Sequence, residues 1–391
     1  MKKLKLIINI FCFGLTLSIN AQELSTKEYI KNNIEIFEAT DSSILQSAYD
    51  NYKLFAIGEY HFREENSKIF LSVFSNLYKY ANVRLIIMEA SMAHGLLVEH
   101  YLETGDIKSL KLISVGQFDE FHYRKLKDMY DSLPENDKFH VIAVDIDNFD
   151  MQFNLKYTVE MLFENTTIPN ELTKLLADFD SIANSEDYAA MNSSFYKINY
   201  DFTQHSELYR DSLGINFLVY KELLDRQKKS LRFDYYDYNR GKDSVEHSRR
   251  ENFIYNNVVS GIKKYPDCNY FGQFGVAHIG LSRFLFIKSE DHVESFIKKL
   301  NNRQKSPLNN KICSMAILYF EDYIPDYNKL YYYYSEASYS SSRKNYLPKN
   351  IYKTIKDNAK VNCLSLVNLS KTSSPLKEFS KNNFQYLIFK R

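Results

Sequence analysis

Two short stretches place a histidine shortly after an apolar run that contains glycine. Residues 54–62 read LFAIGEYHF and carry Glu59 and His61, and residues 270–279 read YFGQFGVAHI and carry His278. A neutral imidazole takes a proton from water near neutral pH, and neighbouring carboxylates orient it and stabilise the imidazolium that forms. The residue types therefore indicate acid–base chemistry on a bound substrate.

Carboxylates end two further apolar runs. Glu89 closes residues 83–90, VRLIIMEA, and Asp145 and Asp147 close residues 139–147, FHVIAVDID. Ligands of open α/β sheets bind outside the carboxyl ends of the strands. If the four runs are parallel strands, their acids and histidines gather at one edge of the sheet. Packing explains any one of these residues alone, whereas their repetition in four runs favours a site.

A second group of polar residues lies in residues 244–262, SVEHSRRENFIYNNVVSGI, which have helical periodicity. Arg250 and Asn257 are two helical turns apart and share a face, and Glu251 is placed to bind across to a histidine. Taken alone, such a charge cluster is more typical of a solvated helix face. The predicted core-facing residues of this helix are Val245, Phe253, Ile254, Val258 and Ile262.

The same residue types also suit a metal ion. Imidazole and carboxylate groups ligate divalent metals and lower the pKa of a bound water. If a divalent metal is present, the expected ligands are His61, His278 and Glu59. No cofactor is certain from the sequence.

The elements that position these residues are strands alternating with helices. The runs at 54–59, 83–90 and 139–147 are rich in β-branched residues, as in strands buried on both faces of a parallel sheet. Residues 64–80 place apolar side chains at helical spacing between the first two runs, which is the βαβ pattern. We predict an α/β fold with a central, mostly parallel β-sheet flanked by helices, and further strands at 268–279, 311–320 and 384–391.

The middle of the chain has a different pattern. From about 150 to 265, long charged segments show helical periodicity, which predicts a large helical insertion between two parts of the sheet. Because strands lie on both sides of it, we predict one domain over residues 22–391. A Tyr- and Ser-rich segment at 331–350 is interpreted as an exposed loop or edge hairpin, and its role stays open.

The charge balance bears on the partner. The chain has 50 basic and 49 acidic residues and a net charge of +1, so no electrostatic reason exists to expect nucleic acid or an anionic membrane. A small-molecule substrate is the expected partner, and the oligomeric state is open.

The N-terminal residues indicate export. The stretch MKKLKLIINIFCFGLTLSINAQ puts three lysines before an apolar segment and reaches a cleavage position near Ala21. This pattern predicts a signal peptide at residues 1–21 and a secreted or periplasmic protein. The apolar segment is shorter than the roughly 20 residues that a membrane span needs, so no stable span is expected after cleavage.

Taken in order, the motifs resemble those of the erythromycin esterase family. AIGEYHF, then a helix and LIIMEAS, is similar to that family's Gly-Glu-x-x-His-like turn, helix and Glu-terminated strand. RRENFIYNN resembles its Arg-Asp-x-x-Met-x-x-Asn helix, and YFGQFGVAHI resembles the strand that ends in a His-Asn-x-His-like turn. The wider superfamily also contains haem-binding lipoproteins and TraB- or TIKI-type metalloproteases.

The resemblance implies that His61 is a general base, with Glu59 and Glu89 beside it and His278 in the same site. It also implies a polar wall that includes Arg250 and Glu251, with Glu251 where the family has Asp. The chain departs from the esterase pattern in three places. Its Glu-x-His spacing is one residue shorter, Gln273 stands in place of the first His of the later turn, and Phe253 or Ile254 replaces the Met.

The leading prediction is a hydrolase that cleaves an ester or related acyl bond with water activated at a His and Glu site. Its catalytic residues are His61, Glu59, Glu89 and His278, and its substrate-binding residues are Arg250, Glu251, Asn257 and Asp145. Two alternatives stay open, a haem- or metal-binding protein without turnover and a metal-dependent peptidase of the TraB or TIKI type. The substrate, including whether macrolides are hydrolysed, is open as well.

Overall fold

The computed structural model describes residues 26–37, 43–61, 63–114, 118–146, 152–164, 166–183, 188–231, 244–281, 293–319, 349–361, 363–369, 376 and 384–390. The predicted signal peptide, Asp147 and residues 331–348 of the Tyr- and Ser-rich segment lie outside these ranges. Export and the single-domain organisation of residues 22–391 therefore stay predictions.

One sheet contains the eight strands of the described ranges. In sheet order they are β1-β7-β8-β6-β2-β5-β3-β4, with β2 near the centre. The pairs β2–β5, β2–β6, β3–β5, β3–β4 and β6–β8 are parallel, and only β1–β7 and β7–β8 are antiparallel. The predicted mostly parallel α/β sheet is thus confirmed. The strand bounds are β1 (Ile34–Ile36), β2 (Leu54–Glu59), β3 (Val83–Met88), β4 (His140–Ala143), β5 (Asn269–Gly275), β6 (Ile312–Tyr319), β7 (Leu364–Asn368) and β8 (Tyr386–Lys390).

Burial on both faces explains the apolar strand sequences. Every residue of β2 is buried. Because side chains alternate along a strand, Phe55 and Ile57 enter one hydrophobic cluster, and Leu54 and Ala56 enter the cluster on the opposite face.

Helices flank the sheet and fill the middle of the chain. The helix predicted over residues 64–80 has those bounds in the structure. No described helix is long and apolar enough to cross a membrane. The helices are α1 (26–33), α2 (Ser43–Tyr49), α3 (Glu64–Tyr80), α4 (Met92–Thr104), α5 (Ile107–Ile113), α6 (Glu120–Asp131), α7 (Gln152–Leu162), α8 (Asn170–Ala183), α9 (Tyr188–Gln204), α10 (Ser206–Leu213), α11 (Phe217–Ser230), α12 (Ser244–Lys264), α13 (Phe296–Asn302) and α14 (Lys349–Asn358).

The predicted helical insertion corresponds to helices α7 to α11, which pack with the start of α4 around a hydrophobic cluster that includes Phe163, Tyr209 and Tyr220. Helix α12 then returns to the sheet, where Ile254 and Val258 join the cluster under β2 and β5. Val245 was predicted to face the core, but it is 54% exposed. It lies in the first turn of α12, and this helix enters the core of the sheet only from Ile254 onward.

Candidate active site

The parallel strands bring the predicted site residues to one edge of the sheet. Glu59 ends β2 opposite Gly275, which ends the neighbouring β5. Glu89 follows β3 directly, and Asp145 follows β4 by two residues. Strand β4 is shorter than predicted, so Asp145 lies in the segment beyond the strand. Two separate halves of the chain thus contribute to one cluster of ionisable groups.

His61 lies in the turn after β2, with its side chain 29% exposed. Its Nδ1 is 2.9 Å from Oε1 of buried Glu59, and the other oxygen of Glu59 accepts a hydrogen bond from Gln273 Nε2. Because a carboxylate only accepts, His61 Nδ1 carries the proton, and Nε2 is the acceptor when the ring is neutral. Burial alone would lower the pKa of His61, but the hydrogen bond to Glu59 and the charge of Glu89 outweigh it and raise this pKa.

Glu89 is the centre of the cluster. Its Oε2 accepts a 2.5 Å hydrogen bond from the Gly275 amide, and its Oε1 accepts one of 2.8 Å from Arg250 Nη2. The same Oε1 lies 3.1 Å from His278 Nε2 and 4.0 Å from His61 Nε2. Burial opposes ionisation, but the positive charges of His278, His61 and Arg250 prevail and hold the pKa of Glu89 well below its usual range.

Gly275 leaves the space that His61 occupies. A Cβ atom at this position would lie 2.8 Å from His61 Nε2 and 3.5 Å from Glu89 Oε2. The approach to His61 Nε2 is closer than van der Waals contact allows, so glycine lets the imidazole lie against the end of β5.

His278 lies in a 3₁₀ turn, Val276–Ile279, beyond the end of β5, although the sequence predicted one continuous strand through residue 279. Its Nδ1 is 2.5 Å from Glu251 Oε1, and its Nε2 faces Glu89. Burial would lower the pKa of His278, but the charges of Glu251 and Glu89 outweigh it and raise this pKa to about 10. His278 is therefore a buried imidazolium at neutral pH, with both ring nitrogens directed at carboxylates.

The charge of His278 predicts a pH dependence of stability. A histidine whose pKa is raised on folding contributes stability in full below its unfolded value near 6.5, and this contribution is lost as pH rises towards about 10. We expect the free energy of unfolding, measured with urea, to fall across this window by up to about 1.4 kcal/mol per pH unit from this group. A His278→Gln variant should show a flatter dependence, and equal slopes for the two proteins would contradict the prediction.

Arg250 joins α12 to the sheet edge. Its Nε donates to Asp145 Oδ1 at 2.9 Å, and its Nη2 donates to Asp145 Oδ2 and to Glu89 Oε1. Two turns further along the same face, Asn257 Nδ2 donates to the Val144 carbonyl at 2.9 Å. These bonds hold the segment after β4 against α12.

Like Arg250 and Asp145, the other two predicted substrate-binding residues bind protein partners. Glu251 is buried and divides its oxygens between His278 Nδ1 and the Phe296 amide, the latter at 2.5 Å. Asn257 binds the Val144 carbonyl. Sequence spacing placed both residues near the site but did not show which way they turn.

The residues do not fit a divalent metal. Within the described ranges no group of three or more His, Cys, Asp or Glu side chains is arranged to hold one. Glu89 and Glu251 already bind protein donors, and His278 as an imidazolium has no lone pair to offer. A cation bound by Glu89 and Asp145 would have to displace the guanidinium of Arg250 from its place between them.

Two residues that the sequence analysis did not single out lie beside Glu59 and His61. Asn66 is in the first turn of α3, and Tyr319 is the last residue of β6. The hydroxyl of Tyr319 donates to Asn66 Oδ1. Since β6 runs parallel to β2, Tyr319 lies at the same strand-end edge. The rule that ligands bind at the carboxyl ends of the strands could have pointed to Tyr319 from the sequence.

Comparison with known proteins shows the fold. No family model matches the chain, and no curated protein matches it. A crystal structure of a Bacillus cereus protein matches with a TM-score of 0.63 and 11% identity, over 94% of this chain and 97% of that chain. A succinoglycan biosynthesis protein matches with a TM-score of 0.62 and 13% identity, over 94% and 97% of the two chains.

A mutant of the erythromycin esterase EreC in its open conformation matches with a TM-score of 0.59 and 13% identity, over 88% of this chain and 92% of that chain. The chain therefore shares its fold with an esterase. At this identity the likeness concerns the fold alone, so the chemistry must be argued from the site.

Proposed function

We propose that this protein is a hydrolase that cleaves an ester or related acyl bond by attack of a water molecule activated at His61. One observation carries the proposal: a partly exposed imidazole is held through Nδ1 by the buried Glu59, while its Nε2 faces Glu89 at 4.0 Å. A histidine oriented by a carboxylate through one nitrogen is the arrangement of a general base. Export, predicted from residues 1–21, is part of this proposal.

The proposed step begins with neutral His61. Its Nε2 takes a proton from water as the water oxygen attacks the acyl carbon, and the imidazolium then protonates the departing alkoxide. Glu59 stabilises the imidazolium through Nδ1. The gap of 4.0 Å between Nε2 and Glu89 Oε1 exceeds a direct hydrogen bond and lies within reach of one bridging water. Glu89 therefore orients the attacking water.

The other residues act on Glu89. Arg250 and His278 keep it ionised and fix its position, and Asp145 and Glu251 hold these two cations in turn. In this proposal His278 is a positioning residue, because both its nitrogens face carboxylates and the ring is buried. The guanidinium of Arg250, beside Glu89, supplies the positive charge nearest to a developing oxyanion.

The raised pKa of His61 predicts the pH profile. A general base acts in its deprotonated form, so kcat/KM should rise with pH and reach half its maximum above pH 6.5. Glu59→Gln removes the hydrogen-bonded charge, so we expect a half-maximum nearer 6.5 and a lower plateau. Initial rates from pH 5 to 9 test this, and a profile unchanged by Glu59→Gln would count against the pairing.

The class of reaction is tested with a panel of aryl esters, lactones and a macrolide, each assayed with and without a chelator. Turnover that persists in chelator supports the proposal. Peptide cleavage that chelator abolishes would favour the metal-dependent peptidase. An absorption band that forms on haem addition, with no turnover of any substrate, would favour the binding protein.

A further inference from the structure

The turn that carries His61 is held by two side chains from other elements. Asn66 Nδ2 donates to the Tyr60 carbonyl at 2.8 Å, and the Tyr60 amide lies 3.4 Å from the Tyr319 hydroxyl. The same hydroxyl donates to Asn66 Oδ1. Both backbone groups of Tyr60, the residue between Glu59 and His61, are therefore bound by one pair of side chains.

The pair also connects to the carboxylate that orients His61. Gln273 Nε2 donates to Glu59 and lies 3.4 Å from the Asn66 carbonyl. A continuous set of hydrogen bonds thus runs from Tyr319 through Asn66 and Gln273 to Glu59. The set joins the end of β6 to the end of β2, two strands that are parallel neighbours.

Tyr319 is suited to a fixed role. The guanidinium of Arg63 lies 4.3 Å from the centre of its ring, and the Tyr60 ring packs beside it at 5.8 Å. Burial and the charge of Glu59 raise the pKa of Tyr319 well above its ordinary value. The hydroxyl therefore stays protonated near neutral pH and donates to Asn66 Oδ1.

We propose that Tyr319 is a positioning residue for His61, acting through Asn66 and the Tyr60 peptide groups. The inference rests on the proposed function only where it concerns turnover, because the geometry of His61 can be measured without a substrate. When the hydroxyl is removed, the turn is no longer held from the β6 side. The 2.9 Å contact of His61 Nδ1 with Glu59 then loosens.

The test is an NMR titration of the full chain labelled with ¹³C-histidine, with the His61 signal assigned by its absence in His61→Asn. Tyr319→Phe keeps the ring and its contact with Arg63. We expect the midpoint of His61 to move down towards 6.5 by about half a pH unit as the contact with Glu59 weakens. With an ester that the wild type hydrolyses, kcat should fall about tenfold with KM little changed, because the general base is misplaced.

Tyr78→Phe is the matched control. The Tyr78 hydroxyl donates to the backbone carbonyl of Asp137 at 2.7 Å, and Tyr78, like Tyr319, has an arginine over its ring, Arg84 at 3.8 Å. It lies away from the sheet edge, so its loss should leave the midpoint of His61 in place. Asn66→Ala removes the other side chain of the pair. Its effect on the midpoint of His61 should not add to that of Tyr319→Phe if the two residues act together.

An unchanged midpoint of His61 in folded Tyr319→Phe, or in Asn66→Ala, would overturn the inference. If the midpoint shifts as expected but the wild type hydrolyses no ester or lactone, the positioning role stands and the proposed function fails. If turnover is present and the midpoint stays fixed, the proposed function stands and the positioning role fails.

Discussion

Replacement of His61 by asparagine is expected to lower kcat/KM by about 10²–10⁴-fold for any ester that the wild type hydrolyses. Asparagine keeps a polar side chain in the turn but has no group that takes a proton from water near neutral pH. The remaining groups of the site, Glu89 and Arg250 among them, keep their contacts with each other. Initial rates with saturating and limiting substrate measure the loss.

His140→Asn is the matched control for this experiment. His140 also lies beside a carboxylate, Glu99, at 3.6 Å, and this contact raises its pKa too. His140 is the first residue of β4, whereas the site lies beyond the last residues of the strands. Its side chain is 48% exposed, so its loss should not change the rate. If His61→Asn hydrolysed the whole panel as fast as the wild type, while remaining folded by circular dichroism, His61 would not be the base.

Removal of the Arg250 charge is expected to give the largest loss of stability. Arg250→Met leaves buried Asp145, and Glu89 with its side chain only 4% exposed, without their shared cation. Breaking a buried ion pair by deleting one partner costs about 3–5 kcal/mol, because an uncompensated charge stays buried. Urea unfolding at pH 7 should show this loss, and turnover should fall because Glu89 loses its position.

Two further variants serve as comparisons for the stability of Arg250→Met. Arg250→Lys keeps the charge but lacks the planar fork that binds Asp145 through two nitrogens, so it should lose less stability than Arg250→Met. Arg124→Met removes an exposed arginine that pairs with Glu120 at 2.6 Å, and it should leave stability little changed. Equal unfolding midpoints for Arg250→Met and Arg124→Met would contradict the role of Arg250.

The candidate site consists of paired charged side chains around one partly exposed histidine. Glu59, Glu89 and Glu251 each contact an imidazole, and Arg250 lies between Glu89 and Asp145. The side chain of His61 is more exposed than those of the other residues in this set, at 29%. In the proposed reaction an ionised Glu89 beside neutral His61 would orient water and repel anions, which suits a neutral acyl substrate.

Much of the fold followed from local patterns. Strands β2 and β3 were predicted from their apolar runs, and α3 was predicted from its apolar spacing. A strand buried on both faces, or a helix buried along one stripe, shows a recognisable pattern of apolar residues close together in the sequence. The edge pairing of β1 with β7 was not predicted. Strand β1 has three residues, too few to show a period.

The sequence by itself determined which glutamates and histidines were candidates for the site, since such residues at strand ends are recognisable from type and position. Only the tertiary structure decided their partners. Glu251 binds His278 and the Phe296 amide, and Tyr319 reaches a turn more than 250 residues earlier in the chain. Hydrogen-bond partners depend on strand order and on the side from which each helix returns, and neither is encoded by the periodicity of adjacent residues.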